Sequence, residues 1–115
     1  MPRDMRYIKH HPAQSLLPGP VVLFEQTWQE HVGKQHPDVA LSHVQDTLDD
    51  PCFIQESKSR SDTFIFTSTL NTNAAGDPLW VPVRKDATGS HFVTTAYYKE
   101  SNVVGKIVWR RGDDG

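Results

Sequence analysis

The sequence predicts an α+β domain in which N-terminal helices pack on a four- to five-stranded antiparallel sheet. Residues 27–48 carry helix-capping signals and a helical apolar stripe, whereas the apolar residues after Pro51 alternate and are grouped between short turns. Helices followed by strands on short connections are typical of the α+β class. The chain has 115 residues, which is enough for one such domain.

The first half is predicted to hold an arm, a strand and two helices. Residues 1–20 contain four of the eight prolines and are expected to form a flexible arm. The apolar run 21–24 predicts a strand. Thr27 and Glu30 match a capping box, so a helix over 28–35 should follow and end at His36-Pro37. Asp38 should cap a second helix over 39–48.

The second half is predicted to be stranded. Strands are expected over 52–55, 63–70, 79–83, 91–99 and 106–110, with a turn over 71–78. Because Pro82 cannot donate a ladder hydrogen bond, its strand should be an edge strand or locally irregular. The predicted organisation is therefore an arm over 1–20, a single domain over 21–111 and a tail over 112–115.

Composition excludes several classes of protein. The single cysteine, Cys52, excludes an internal disulfide framework and a multi-cysteine zinc site. No apolar run approaches the roughly 20 residues of a membrane helix, and no secretory signal is recognisable, so we expect a cytoplasmic protein without a membrane partner. Dinucleotide, P-loop and GxSxG motifs are missing from the sequence, and we expect no cofactor.

The net charge of −2 counts against a protein that coats nucleic acid by bulk electrostatics. The charges are unevenly distributed along the chain. Residues 1–57 carry four basic and eight acidic side chains, whereas residues 58–111 carry eight basic and four acidic ones. This distribution indicates either a polarised surface or charges that are simply scattered over solvated positions.

The strand predicted over 91–99 holds the densest set of polar candidates. Strict alternation would place His91, Thr95, Tyr97 and Lys99 on one face, where they could donate hydrogen bonds to an anion such as a phosphate. Arg84 on the preceding strand is a further candidate cation. The alternative interpretation is an ordinary solvent-facing row on a half-exposed sheet.

Two histidines, His31 and His36, lie at the end of the first predicted helix. On a continuous helix they would be about 140° apart around the axis, so they do not form the i, i+4 pair that binds zinc in HExxH enzymes. A structural or surface role is the alternative for each.

Metal-free cleavage of RNA suits these residue types. The 2′-hydroxyl of RNA attacks its own adjacent phosphate, so the protein needs only a base, an acid and donors for the phosphoryl oxygens. Histidine can be either the base or the acid at neutral pH, and Lys, Arg, Thr and Tyr can bind the oxygens.

Several strings in the sequence resemble a known family. The string W-x-E-H-V-x-K-x-H-P-D, from Trp28 to Asp38, is similar to the helical histidine motif of phage- and toxin-associated ribonucleases of the barnase–EndoU–colicin–RelE superfamily. The other matching pieces, which follow in the same order and together span about residues 21–110, are Thr47–Pro51 before Ile54, the Leu79–Val83 strand, and Thr95-Ala96-Tyr97.

The resemblance implies helices on a four-stranded antiparallel sheet and a metal-independent endoribonuclease, often deployed as a toxin. It implies an RNA substrate, and an antitoxin or immunity protein as a partner. His31 and His36 would match the helical histidines, and Thr95 and Tyr97 the hydroxyls of the late strand. His91, Lys99 and Arg84 are not fixed by the family pattern and are predicted as substrate-binding residues from geometry.

Two other functions stay open on the sequence alone. One is a non-catalytic α+β binding module of phage or mobile-element origin that engages a protein or a nucleic acid. The other is a metal-dependent hydrolase using His31, His36 and His43, although these residues lack the usual ligand spacing and an obvious carboxylate partner.

Overall fold

The computed structural model describes residues 5–10, 20–87, 91–100 and 106–110, with side chains for 21–30, 32–87, 91–100 and 106–110. The fold is α+β. Its helical part is a π-helical segment (Thr27–Val32) that continues into α1 (Gly33–Gln35), followed by α2 (Leu41–Asp49). The strands are β1 (Met5–His10), β2 (Pro20–Phe24), β3 (Phe53–Glu56), β4 (Thr63–Thr72), β5 (Pro78–Arg84), β6 (His91–Val93), β7 (Tyr97–Tyr98) and β8 (Ile107–Arg110).

The sheet is larger than predicted, and it is mixed rather than antiparallel. Its eight described strands follow the order β1-β2-β6-β5-β4-β3-β8, and β7 pairs with β5 beside β6. β1 lies inside the expected N-terminal arm and pairs antiparallel with β2. β2 then joins the sheet through a parallel pairing with β6, where Val21 lies opposite His91. The remainder of the arm, 1–4 and 11–19, and the tail over 112–115 lie outside the described residues.

The helices begin at different residues from those predicted. Gln26 already has helical φ and ψ, so Thr27 is not an N-cap, and the Glu30 carboxylate accepts a hydrogen bond from Gln26 Nε2 at 2.8 Å instead. α2 begins at Leu41 and has no side-chain cap. The predicted break at His36-Pro37 is confirmed, because His36 leaves the helical region with φ −135° and ψ 64°. No helix of the described residues is long and apolar enough to cross a membrane.

The hydrophobic core lies between α2 and one face of the sheet, which we call the helix face. α2 buries Val44 and Leu48 there, so the predicted apolar stripe does face the core. Because side chains alternate along a strand, every second residue of β4 and β5 points towards α2. These buried apolar residues are Phe64 and Phe66 on β4 and Leu79, Val81 and Val83 on β5.

Of the two alternatives predicted for the strand of Pro82, the edge strand is wrong, because β5 lies inside the sheet between β4 on one side and β6 and β7 on the other. The local irregularity is observed, because β5 changes its partner from β6 to β7 near Pro82. The carbonyl of Pro82 accepts a hydrogen bond from Thr94 N at 3.0 Å on the β6–β7 side. The nitrogen of a strand residue points to the same side as its carbonyl. The missing N–H of Pro82 therefore faces the connection between β6 and β7, where the ladder is already interrupted.

Candidate active site

The strand predicted over 91–99 is divided by one extra residue. Val93 lies opposite Val83, but Tyr97 lies opposite Trp80, so the three residues 94–96 face only two residues of β5. Such a bulge shifts the alternation of side chains by one position. The prediction that His91 and Tyr97 share one face is therefore wrong. His91 lies on the helix face, and Tyr97 lies on the opposite face.

The opposite face of the sheet, which we call the groove face, carries a groove of about 270 Å³. On this face Thr63, Ile65 and Thr67 of β4 lie opposite Arg84, Pro82 and Trp80 of β5. The turn between β3 and β4 forms one wall of the groove, and the β6–β7 connection forms another. The lining residues are Ser57, Ser59 and Arg60 from the turn, Thr63, Ile65, Pro82 and Arg84 from β4 and β5, and Thr94, Thr95 and Tyr97 from the connection and β7.

Two arginines, Arg60 and Arg84, line the groove, and one carboxylate, Asp62, lies beside them. Asp62 Oδ1 lies 3.4 Å from Arg60 Nε, and Asp62 Oδ2 lies 3.6 Å from Arg84 Nε. The Thr63 hydroxyl donates to Asp62 Oδ1 at 3.1 Å. The hydrogen bond from Arg60 lowers the pKa of the Asp62 carboxyl, and the Thr63 hydroxyl and the charge of Arg84 lower it further. This cluster keeps two cationic side chains at one end of the groove.

Tyr97 links the groove to His36. The ring centroids of His36 and Tyr97 are 5.7 Å apart, and the ring of Tyr97 stacks on Trp80 with the centroids 6.2 Å apart. Lys99 Nζ lies 5.2 Å from the centroid of the Trp80 ring, on which it makes a cation–π contact. Burial raises the pKa of the Tyr97 phenol, so this group stays protonated at neutral pH.

Two polar atoms of the groove are buried without a hydrogen-bond partner among the described residues. These are the hydroxyl oxygen of Thr95 and Nε of Arg84. At 3.6 Å, Asp62 is an ion-pair partner of Arg84 but is too distant for a good N–H···O hydrogen bond. A buried polar atom left unpaired is costly, so these two atoms mark a strained polar part of the groove lining.

The structure brings together four of the residues predicted from sequence. Arg84, Thr95 and Tyr97 line the groove, and His36 lies next to it through its contact with Tyr97. Lys99 is adjacent through its contact with Trp80.

One predicted residue does not join this group, and another cannot be placed relative to it. His91 is 1% exposed, and its Nδ1 accepts a hydrogen bond from Asp86 N at 3.0 Å, so we leave it out of the substrate-contacting set. The side chain of His31 lies outside the described residues.

Sequence reasoning missed the contribution of the turn between β3 and β4. Arg60 and Asp62 lie in the segment S-K-S-R-S-D, residues 57–62, which separates two strands. Its mixture of hydroxyl and basic side chains between two β-rich runs is a signal that could have identified it. Nothing local in the sequence shows that this turn and Arg84 lie on the same face of the sheet.

The third histidine of the metal-dependent alternative is engaged elsewhere. His43 Nδ1 lies 2.7 Å from Tyr98 Oη, and the two rings make an edge contact. In the described part of the chain, no three His, Cys, Asp or Glu side chains come together in an arrangement that could hold a metal ion.

Comparison with other proteins gave no relative. No protein-family model matches the chain, and neither the curated proteins nor the solved structures gave a match.

Proposed function

We propose that this chain is a metal-independent endoribonuclease that cleaves RNA by attack of the 2′-hydroxyl on the adjacent phosphate. The observation that carries the proposal is the contact between His36 and Tyr97 at a groove that also holds Arg84 and Thr95. His36 is a proton-transfer group, and the other three can donate to phosphoryl oxygens, so the groove offers two of the kinds of group that this reaction needs. The resemblance of the Trp28–Asp38 string to the superfamily of toxin-associated ribonucleases supports the same activity.

Each residue has a role in this proposal. His36 acts as the base that takes the proton of the 2′-hydroxyl. Tyr97 is a donor rather than a base, because its raised pKa keeps the phenol protonated. Arg84 and Thr95, which line the groove, bind the phosphoryl oxygens, on which negative charge accumulates in the transition state. His31 is the remaining candidate for the acid that protonates the leaving 5′-oxygen.

The test incubates the purified chain with structured and unstructured RNA in EDTA. We expect cleavage that leaves 2′,3′-cyclic phosphate ends, and we expect it to be lost in a His31→Ala/His36→Ala double variant. An inactive wild-type chain, or cleavage undiminished in the double variant, contradicts the proposal. Loss of cleavage in EDTA alone favours the metal-dependent hydrolase.

One observation favours a second candidate, the non-catalytic binding module. Asp62 faces both arginines and offsets one of their two positive charges. A groove of this kind would hold an anionic ligand without needing to cut it. The two functions differ in one measurement, because a binding module retains RNA in an anisotropy experiment and releases no cyclic phosphate.

A further inference from the structure

We propose that Asp62 determines which phosphate the groove accepts, by favouring an internal phosphodiester over a terminal phosphate monoester. The proposal rests on the proposed function for its ligand, an RNA phosphate. It adds a specificity residue that neither the motif strings nor the alternation pattern indicated. It also gives a role to a carboxylate that contacts both arginines of a groove expected to receive an anion.

The geometry places Asp62 beside the groove, in contact with the two arginines that line it. Each of its oxygens faces one arginine, and the hydrogen bond from Thr63 fixes the carboxylate in that orientation. Arg60 is hydrogen-bonded to Asp62, whereas Arg84 is held only by the longer contact. Arg84 is therefore the less tightly held of the two cations, and its partly exposed side chain lines the groove together with Thr95.

The charge of this cluster matches one kind of phosphate. Two guanidinium groups and one carboxylate leave a single positive charge, which a phosphodiester with one negative charge neutralises. A terminal monoester carries about −1.5 to −2 at neutral pH. The additional negative charge of a monoester would be repelled by the Asp62 carboxylate. For two charges about 4 Å apart in a well-solvated site, this repulsion lowers the affinity about fivefold. Such a preference suits endonucleolytic cleavage, because its substrate is an internal diester.

The test compares two uridine ligands at neutral pH by NMR titration of the ¹⁵N-labelled full chain. One is 2′-O-methyl-UpU, a single phosphodiester that cannot be cleaved, and the other is uridine 3′-monophosphate. In Asp62→Asn we expect the affinity for the monoester to rise about fivefold more than the affinity for the diester. The asparagine oxygen can still accept from Thr63, and the NMR spectrum itself reports whether the fold is kept.

The matched control is Asp46→Asn, which changes the net charge equally from an exposed position on α2. It should alter the affinity for both ligands by the same small factor. Arg84→Gln should weaken both ligands in parallel, because both use the same donor.

The proposal is overturned if Asp62→Asn leaves the ratio of the two affinities unchanged, if it weakens both ligands, or if neither ligand binds to the wild type or to Asp62→Asn. The two proposals can fail separately. If the wild-type chain cleaves no RNA but Asp62→Asn changes the ratio of affinities as expected, the proposed nuclease activity is refuted and the proposed phosphate selectivity is supported.

Discussion

The two faces of β4 and β5 are built from the same strands, yet they differ in chemistry. The helix face carries apolar side chains that are packed against α2. The residues between them along each strand point to the groove face, and several of these carry buried polar atoms. The polar atoms of the groove face that are buried without a hydrogen-bond partner among the described residues are Thr67 Oγ1, Trp80 Nε1, Arg84 Nε and Thr95 Oγ1.

The two faces therefore contribute differently to the free energy of folding: the helix face stabilises the fold, and the groove face carries polar groups that cost stability. Leaving a buried donor or acceptor unpaired costs about 1–3 kcal/mol. The apolar burial on the helix face offsets that cost, so the groove face can keep donors oriented before a ligand arrives. Preorganised donors of this kind stabilise developing charge without reorganisation, which a catalytic or anion-binding face needs.

The largest effect should come from opening a cavity on the helix face. Phe66 is fully buried there, and Phe66→Ala should lower the free energy of unfolding by about 3–5 kcal/mol in urea denaturation. Leu70 on the same strand is 70% exposed, so Leu70→Ala is a matched control expected to change stability by less than about 0.5 kcal/mol. Equal losses in the two variants would contradict the assignment of the core to the helix face.

Next in size is a loss of activity without a loss of stability. His36→Gln should lower the rate of RNA cleavage by about 100-fold or more, because it removes the proposed base. His43→Gln is the matched control. It breaks the contact with Tyr98 and should cost about 1 kcal/mol of stability, while cleavage by the folded fraction continues. If both variants lose cleavage equally, His36 has no special role.

Local signals in the sequence predicted the parts of the fold that depend on local chemistry. Alternating β-rich runs located most of the strands, and Pro37 marked the break after His36. The parallel pairing of Val21 with His91 joins residues far apart in the sequence, and no local pattern encodes it. The extra residue within 94–96 was also invisible, because Thr-Thr-Ala contains no glycine or other residue that marks a bulge.

The candidate site follows the same rule: the sequence predicted residue types, but not the tertiary contacts between them. The types of residue that bind phosphate identified Arg84, Thr95 and Tyr97, and all three line the groove. His91 has an equally suitable side chain, but the shift in alternation places it on the buried helix face. Arg60 and Asp62 belong to the site only because the turn between β3 and β4 lies beside Arg84, which is a tertiary contact.

A smaller effect should distinguish paired from unpaired buried hydroxyls. Thr67→Val replaces an unpartnered hydroxyl by a methyl group of similar volume, so it should raise the free energy of unfolding by about 1 kcal/mol. Thr47 is equally buried, but its hydroxyl donates to the carbonyl of His43 at 2.7 Å. Thr47→Val should therefore lower stability by about 0.5–1.5 kcal/mol. Urea denaturation of both variants tests the contrast, and destabilisation by Thr67→Val would show that its hydroxyl is paired.

The smallest expected effect is on how the free energy of unfolding depends on pH under alkaline conditions. Burial raises the pKa of Tyr97 in the folded chain above its unfolded value of about 10, so the unfolded chain loses this proton first. The contribution of Tyr97 to stability is complete below about pH 10 and is lost as the pH rises towards its folded pKa. Tyr97→Phe should therefore make the decline of the unfolding free energy above about pH 10 shallower, by less than about 1 kcal/mol because the ring is partly solvated. If the decline is identical in wild type and variant, the phenol is as solvated in the folded chain as in the unfolded one. The pKa of Tyr97 would then not be raised by burial.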